Sequence, residues 1–555
     1  MKKILVFAVV TLFSISVFAE TVFEYNGVYY KKTSSTTACV IANPDGTKYS
    51  GDITIPYAVP YIGKRGTITF TVTSIADNAF YKCTELTSID LPTSISVIGL
   101  GSFCDCKELE SVDISNVTTI DGYAFYRCVS LKSINIPNVI TIGEVAFYHC
   151  AFDTIDLPKV ETIGESAFHS CGNLRSINMP KVKTLEGGAF RECNFTSLNL
   201  PATLDSIGKY ALSNSGLKYI TIDEANENFA VKDNVLYDKD FTKLIQYPIG
   251  QEAKSISVPN TVTIIGGGAF GQCQYVERVD MPNVNIIESG AFSWCIDLKS
   301  VNMPKVTAIE TSVFLQCKNL NSINIPNVTK IESSAFESCS NLQKVVLGNV
   351  DSIKKEAFSE CTSLDTFRIT AATPPVLGNH AFNYTPSNML IQVPCGASSL
   401  YKRVEGWKNY KNYEEVAPEV TVMSNDEKMG VVVLDRQTTC ENPTAEIEAV
   451  RRSGYEFVKW SDENTENPRV VTVEDEDITL TAIFQKVGTD VENVGIEGVT
   501  IYSDGTVLHV EGAEKEYQIY STTGSLLYRG TDAEVALPRG IYVVRYGNAI
   551  EKVVL

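Results

Sequence analysis

Phenylalanine recurs through the middle of the chain at a step of about 22 residues. In most copies Ala precedes the Phe, Ile or Leu lies five residues before it, and Cys lies three residues after it. The Phe positions are Phe80, Phe103, Phe125, Phe147, Phe168, Phe190, Phe270, Phe292, Phe314, Phe336 and Phe358, with Leu212 as one replacement and Phe382 as a degenerate last copy. A period this constant predicts a solenoid, in which each coil buries its apolar side chains against the next.

Each repeat contains two local patterns. From Ile142 to Cys150 the apolar residues fall at offsets 0, 4, 5 and 8, which predicts a short helical turn. From Leu174 to Pro180 apolar and polar residues alternate, which predicts a short strand that the proline ends. The sequence therefore predicts an α/β solenoid with one strand and one helical turn per coil, followed by two small all-β domains.

Eleven of the fifteen cysteines occupy the position three residues after the repeated Phe. Because this position faces the predicted core, we expect small buried thiols. Disulfides between adjacent coils are the alternative, since the Cα atoms would lie within bridging range. Zinc at Cys150, Cys171, His149 and His169 is less favoured because no CxxC pair is present. The other four cysteines, whose pairing the sequence leaves open, are Cys39, Cys104, Cys395 and Cys440.

The repeat pattern Ile-Gly-x-x-Ala-Phe-x-x-Cys-x-x-Leu-x-x-Ile-x-Ile-Pro resembles the BspA-like leucine-rich repeats, also called the Treponema pallidum type. The resemblance covers residues 21–416 and implies a surface protein that attaches to host or microbial components. It also implies the following segments: an N-terminal cap over 20–74, repeats over 75–222, a hairpin insertion over 223–256, repeats over 257–370 and a C-terminal cap over 371–416.

Two further modules follow the solenoid. Residues 418–487 resemble the divergent internalin-type B-repeat, most closely around Trp460 and Phe484. Residues 488–555 resemble the C-terminal sorting domain of type IX secretion in Bacteroidetes, which would act as an export address, whether cleaved or used for attachment. An ordinary terminal β-sandwich is the alternative interpretation of this last segment.

The N-terminus has the pattern of a secretory signal peptide over residues 1–19. Two lysines precede an apolar run that ends at Phe18, and the expected cleavage lies between Ala19 and Glu20. No second long apolar stretch follows, so we expect no transmembrane segment. The chain is therefore predicted to be exported, and either secreted or held at the cell surface.

The predicted strands present two polar columns that form a candidate binding face. One column is Asp or Asn in nearly every coil, and the other, beside it, is Ser or Thr. The candidate residues, including the breaks in the pattern, are Asp90, Asp113, Asn135, Asp156, Asn178, Asn199, Tyr219, Arg278, Asp280, Asn302, Asn324, Lys344 and Arg368. Exposed Tyr and Arg are favoured at interface hot spots. The structural alternative is a ladder in which each side chain bonds its neighbours above and below.

Several function classes are disfavoured by composition and motifs. The net charge of −19 repels phosphate backbones, which argues against nucleic acid as a partner. No GxSxG, HExxH or GxxxxGKS motif is present and there are four histidines, so neither catalysis nor a cofactor is expected. The favoured function is adhesin-like binding of an extracellular protein or glycan through the solenoid face. A structural surface protein without a defined ligand is the second hypothesis, and a glycan-acting enzyme is the third.

Overall fold

In the computed structural model the chain divides into two compact units, one up to Ala417 and one from Pro418 onward. The residues that the structure describes are 21–64, 66–213, 215–474, 477–486, 499–503, 507–522, 525–538, 540–547 and 549–554. The predicted signal peptide and its cleavage position between Ala19 and Glu20 lie outside this part of the chain. Within the described residues no helix combines the length and hydropathy that a membrane crossing requires.

The first unit is a solenoid of leucine-rich repeat coils, and each coil contributes strands to two parallel ladders. We call the longer strands, which carry the polar columns, the front strands. They are Gly51–Thr54, Leu86–Asp90, Ser111–Asp113, Ser133–Asn135, Thr154–Asp156, Ser176–Asn178, Ser197–Leu200, Tyr219–Ile222, Ser255–Ser257, Arg278–Asp280, Ser300–Asn302, Ser322–Ile325, Lys344–Leu347, Thr366–Ile369, Leu390–Pro394 and Tyr413–Val416.

The shorter strands form the second ladder and are called the back strands. They are Val97–Ile98, Thr119–Ile120, Thr141–Ile142, Thr162–Ile163, Thr184–Leu185, Ser206–Ile207, Ile264–Ile265, Ile286–Ile287, Ala308–Ile309, Lys330–Ile331, Ser352–Ile353 and Val376–Leu377. Their Ile or Leu is the residue five positions before the repeated Phe, and it is buried in most coils. Both ladders therefore direct one apolar row into the same core.

The helical turn predicted for each coil is wrong, because this segment forms a chain of tight turns. The Phe147 amide donates to the Ala167 carbonyl of the next coil at 2.8 Å, whereas the Tyr148 amide donates to Val145, three residues back, at 3.2 Å. Val145 and His149 have φ of 54° and 60°. A helix requires right-handed residues throughout and amides bonded within the same segment. In this segment alternate backbone amides instead donate hydrogen bonds to carbonyls of the next coil.

The repeated Phe side chains form two stacks in the core, one from Phe80 to Phe190 and one from Phe270 to Phe382. Successive ring centroids lie between 4.8 Å and 5.6 Å apart, and the planes are nearly parallel, as for Phe336 and Phe358 at 4°. The stacked Phe rings are buried, and Phe382, at the end of the second stack, is 8% exposed. The predicted apolar column is therefore the central packing element of the solenoid.

The cysteines of the repeat are free thiols buried beside the Phe stacks. In nine coils the Cys Sγ–H donates to the Phe carbonyl of the preceding coil at 2.9–3.2 Å, as Cys339 does to Phe314. Burial raises the pKa of these thiols, for Cys171 and Cys295 to about 12. They therefore stay protonated and unreactive at neutral pH. Of the remaining four, Cys39 and Cys104 are also free and buried, whereas Cys395 is disulfide-bonded, as is Cys440 in the second unit.

Three antiparallel strands interrupt the repeats between Tyr219–Ile222 and Ser255–Ser257: Phe229–Lys232, Val235–Asp238 and Lys243–Gln246. They divide the solenoid core into two clusters. Leu236 packs into the first cluster, while its strand neighbours Val235 and Tyr237 pack into the second. Tyr247 follows the last of these strands and stacks on Phe270 with 5.0 Å between centroids. A tyrosine thus begins the second stack of rings, at the point where the repeat is interrupted.

Caps close both ends of the solenoid. The first is built from the strands Val22–Tyr25, Val28–Lys32, Thr37–Ile41, Ala58–Gly63 and Gly66–Ile75, with Tyr49 against Phe80 at 5.1 Å. The second contains the short helix Ser398–Tyr401 and the 3-10 turn Trp407–Asn409. Trp407 is fully buried, and its ring centroid lies 5.8 Å from that of Phe382. Its indole N–H donates to the Pro375 carbonyl at 2.9 Å.

The second unit consists of small all-β sheets. One pair of sheets contains Val420–Ser424, Gly430–Arg436, Thr444–Arg451, Tyr455–Trp460, Arg469–Thr472 and Ile478–Lys486 around the buried Trp460. Another pair contains Thr500–Ser503, Val507–Glu511, Tyr517–Ser521, Leu526–Gly530, Glu534–Ala536, Ile541–Tyr546 and Ala549–Val554 around its own apolar cluster. Among the residues described, helix is confined to the C-terminal cap of the solenoid.

Candidate binding surfaces of the solenoid

The front strands place the predicted Asp and Asn column on the solvent side. The alternation of the strand turns the preceding apolar residue inward, so that Val112 is 4% exposed while Asp113 is exposed. The members found exposed are Asp90, Asp113, Asn135, Asp156, Asn178, Asn199, Asp280, Asn302 and Asn324. We call this column the front row.

Neighbouring side chains of the front row bond each other in several coils. Asn178 Nδ2 donates to Asp156 Oδ1 at 2.6 Å, and Asn302 Nδ2 donates to Asp280 Oδ1 at 2.7 Å. Asn135 makes the same bond to Asp113 at 3.1 Å. These pairs are the side-chain ladder of the structural alternative, because the polar groups of one coil are partly satisfied by the next.

Three residues that break the serine column are exposed as predicted. Tyr219 is 53% exposed and pairs in register with Ser197. Arg278 and Lys344 lie in the column that also holds Ser300 and Ser322, but they belong to different stretches of the ladder. The structure therefore gives three separate projecting side chains on the front face rather than one cluster.

Arg368 is 5% exposed, so its prediction as an exposed member of the binding face is wrong. Its strand is followed in the ladder by Leu390–Pro394 and then by Tyr413–Val416 of the C-terminal cap. The guanidinium donates from Nη2 to the Ala417 carbonyl at 3.3 Å, where the chain leaves the cap. Arg368 therefore contributes to closing the end of the solenoid.

The edge of the front face carries ion pairs between coils. Glu277 lies between Lys299 at 2.7 Å and Lys254 at 2.9 Å. Hydrogen bonds from these two ammonium groups lower the pKa of Glu277 to about 2. Glu110 and Lys132 form a similar but longer pair at 3.5 Å in the first half. Such exposed pairs align adjacent coils and add little to stability.

A cavity of about 290 Å³ lies where the antiparallel strands interrupt the repeats, between Ser206 and Glu288. Its principal charges are already paired, since Glu288 accepts from Lys243 at 2.8 Å and lies 3.7 Å from Lys209. Burial raises the pKa of Glu288, but Lys243, the Gly267 amide and Lys209 together lower it by more, so the net pKa is lowered. In the described part of the chain no group of three or more His, Cys, Asp and Glu side chains could hold a metal ion.

A second polar row, which the sequence reasoning missed, lies on the chain of turns. Its members follow the repeated Phe by two residues, all have φ between 57° and 63°, and their amides donate to the next coil where one follows. They are Lys82, Asp105, Arg127, His149, Ser170, Glu192, Gln272, Trp294, Gln316, Ser338, Glu360 and Tyr384. We call this column the turn row. The residue that could have revealed this row in the sequence is Trp294, a large aromatic residue at a position that is polar in most coils.

Comparisons with known proteins agree with this architecture. The BspA type leucine rich repeat region, in six copies, matches residues 64–164, 140–248, 249–365 and 285–404. The divergent InlB B-repeat domain matches residues 420–488, which confirms the resemblance of that module. No curated protein matches the chain.

Two solved structures illustrate the similarity. A leucine rich cell surface protein from Faecalibacterium prausnitzii is 31% identical, and the match covers 63% of this chain and 94% of that chain with a TM-score of 0.56. The pneumococcal vaccine antigen PcpA is 21% identical over 72% of this chain and 99% of that chain, with a TM-score of 0.54, and shows the fold alone. The chain therefore belongs to the family of proteins with BspA type leucine rich repeat regions.

Proposed function

We propose that this protein is exported, remains associated with the cell surface and binds an extracellular protein or glycan through the front face of its solenoid, without catalysis. The observation that carries the proposal is the set of projecting side chains on an otherwise regular polar face, namely Tyr219, Arg278 and Lys344. Tyrosine and arginine supply much of the binding energy at known interfaces. The similarity to a leucine rich cell surface protein supports the proposed location.

The test is a binding screen of the full chain against immobilised extracellular matrix proteins and glycans. For any ligand retained, Tyr219→Ala and Arg278→Ala are expected to weaken binding at least about tenfold, as hot-spot truncations do. Lys159→Ala is the matched control, because Lys159 is exposed on the solenoid outside the front row. Retention of a ligand with unchanged affinity in both variants would place its site elsewhere.

A structural surface protein is the second candidate, and the Asp–Asn pairs of the front row favour it. Side chains that bond each other between coils have fewer donors and acceptors left for a ligand. This function predicts abundant protein at the surface and no ligand in the same screen. The two candidates are therefore separated by one experiment.

We further propose that residues 488–555 act as a type IX secretion sorting domain in a Bacteroidetes host. The support is the all-β character of its described residues and the Gly-Ile-Tyr-Val-Val-Arg segment of the sequence. Surface localisation is compared for the full chain and for a chain ending at residue 487. Export that is unchanged after this deletion would rule out a sorting function.

A further inference from the structure

A groove runs along the turn row in the second half of the solenoid. Its volume is about 510 Å³. The residues lining it are Gln316, Lys318, Ser338, Ser340, Glu360, Thr362 and Tyr384. All of them except Tyr384 end in polar groups, so the groove offers hydrogen-bonding groups and one aromatic ring.

Exposed aromatic side chains stand at both ends of this stretch of the turn row. Trp294 occupies the row position immediately before Gln316 and is 45% exposed, and Tyr384 at the other end is 71% exposed. Four coil steps separate them, which is about 20 Å at a strand spacing of about 4.8 Å. The aromatic positions are thus far enough apart for an extended ligand to reach both.

Neither aromatic residue is required by the fold at its position. The backbone there is left-handed, with φ of 63° at Trp294 and 59° at Tyr384, a conformation that disfavours bulky side chains. In other coils the same position holds small or flexible polar residues, such as Ser170. The two rings are better explained by what they present to solvent than by packing.

The polar groups between the aromatic residues are close to neutral overall, and two of them bond each other. Ser338 is 6% exposed and donates from Oγ to Glu360 Oε2 at 2.7 Å. Gln316 Oε1 is buried and has no hydrogen-bond donor among the described residues. Lys318 and Glu360 contribute one charge of each sign. A ligand for this groove would need no net charge, and Gln316 would have to turn its amide oxygen toward the groove to accept a hydrogen bond from it.

We propose that the turn row from Trp294 to Tyr384, which includes this groove and the exposed Trp294 ring one coil before it, binds a neutral oligosaccharide. One face of a sugar ring carries C–H groups that pack on an aromatic ring, and its hydroxyl groups donate and accept hydrogen bonds. A protein partner fits less well, because Lys, Glu and Ser make up most of the lining and these residue types are depleted in the cores of protein interfaces. The groove lies on the turns and not on the front strands, so it does not depend on the proposed front-face site.

Tryptophan fluorescence of the full chain provides a direct test. The chain has three tryptophans, and Trp407 and Trp460 are fully buried, so iodide is expected to quench Trp294 selectively. The probes are cellohexaose, maltohexaose, mannohexaose, xylohexaose and N-acetylchitohexaose. At least one of them is expected to protect Trp294 from quenching and to bind in calorimetry.

Variants then locate the bound sugar. Trp294→Ala and Tyr384→Ala are each expected to weaken the binding of that hexasaccharide at least about tenfold. Tyr275→Ala is the matched control, since Tyr275 is 48% exposed in the same half of the solenoid but lies outside the turn row. All these side chains are exposed, so unchanged thermal unfolding of each variant is expected and verifies its fold.

Three results would overturn the proposal. They are the absence of binding to every probe at millimolar concentration, unchanged affinity in both aromatic variants, and binding through these residues only to charged polysaccharides or to proteins. Tyr219→Ala and Arg278→Ala are expected to leave hexasaccharide affinity unaltered. The front-face proposal and the groove proposal can therefore fail independently.

Discussion

The front row and the turn row are both columns with one residue per coil, yet they differ in chemistry. The front row is Asp or Asn in most coils, and neighbours such as Asp156 and Asn178 bond each other. The turn row ranges from Arg127 to Trp294, and its side-chain contacts join different residue types in different coils, such as Ser170 with Glu192 and Arg127 with Asp105. Backbone amides join the coils in both rows, but only the front row repeats one Asp or Asn pattern, whereas the residue types of the turn row vary. Selective recognition requires variation, so the turn row is the better place to look for it.

The largest effect is expected in the core that both rows share. Phe314→Ala removes a fully buried ring that stacks on Phe292 and Phe336. The free energy of unfolding should fall by about 3–5 kcal/mol, as measured by urea denaturation. Phe314→Leu serves as the control, because Leu212 occupies the same position in another coil and should cost less. A loss below about 1 kcal/mol for Phe314→Ala would contradict the role of the stack.

The next effect tests whether the backbone joins the coils in the turn row. Gln272 has φ of 62° and donates its amide to the Ser293 carbonyl at 2.8 Å. Gln272→Pro removes this donor and forbids this φ, so unfolding should become easier by at least about 3 kcal/mol. Gln272→Gly keeps the amide and should stay within about 1 kcal/mol of the parent chain. Equal effects of the two substitutions in thermal or urea unfolding would show that the side chain, not the amide, is important.

A smaller effect tests the side-chain bonds of the front row. In a double-mutant cycle, Asp156→Ala and Asn178→Ala should show a coupling of about 0.5–1 kcal/mol in the free energy of unfolding. The matched cycle combines Asn178→Ala with Asp113→Ala, which bonds Asn135 instead. That second cycle should be additive within about 0.5 kcal/mol. Additivity in both cycles would remove the physical basis for the uniform front row.

The smallest effect concerns the ion pairs at the edge of the front face. The pKa of Glu277 is lowered from 4.5 to about 2, so its contribution is present above pH 4.5 and is lost as the pH falls toward 2. Glu277→Gln should therefore lower Tm slightly at neutral pH, and the difference from the parent chain should disappear by about pH 2. Added salt should reduce the difference. A difference that grows on acidification would have the wrong sign for this assignment.

Much of this architecture could be predicted from the apolar period alone. Burial of the Phe and Cys columns and exposure of the front row follow from which residues repeat, because every coil must pack against the next. The turns could not be distinguished from a helix, since apolar offsets of 0, 4, 5 and 8 fit both. The contrary signal was glycine two residues before the repeated Phe, at Gly101, Gly188, Gly268 and Gly290, all with positive φ.

The candidate sites were less predictable than the fold. Arg368 looked like any other break in the front-face pattern, but its exposure depends on the cap that follows it in space and not on its own repeat. Trp294 and Tyr384 stand 90 positions apart in the sequence, and only the stacking of coils shows that they belong to one row. The period of the sequence shows which residues form one column, but only the folded structure shows which residues lie beside that column.

The antiparallel strands that divide the core, with Tyr247 stacked on Phe270 at the start of the second half, have an evolutionary consequence. The coils before these strands and the coils after them form two separate series, and both series end at the same three strands. We expect related genes to gain or lose whole units on one side without compensating changes on the other. The length of the solenoid can then differ between lineages while the three antiparallel strands stay the same.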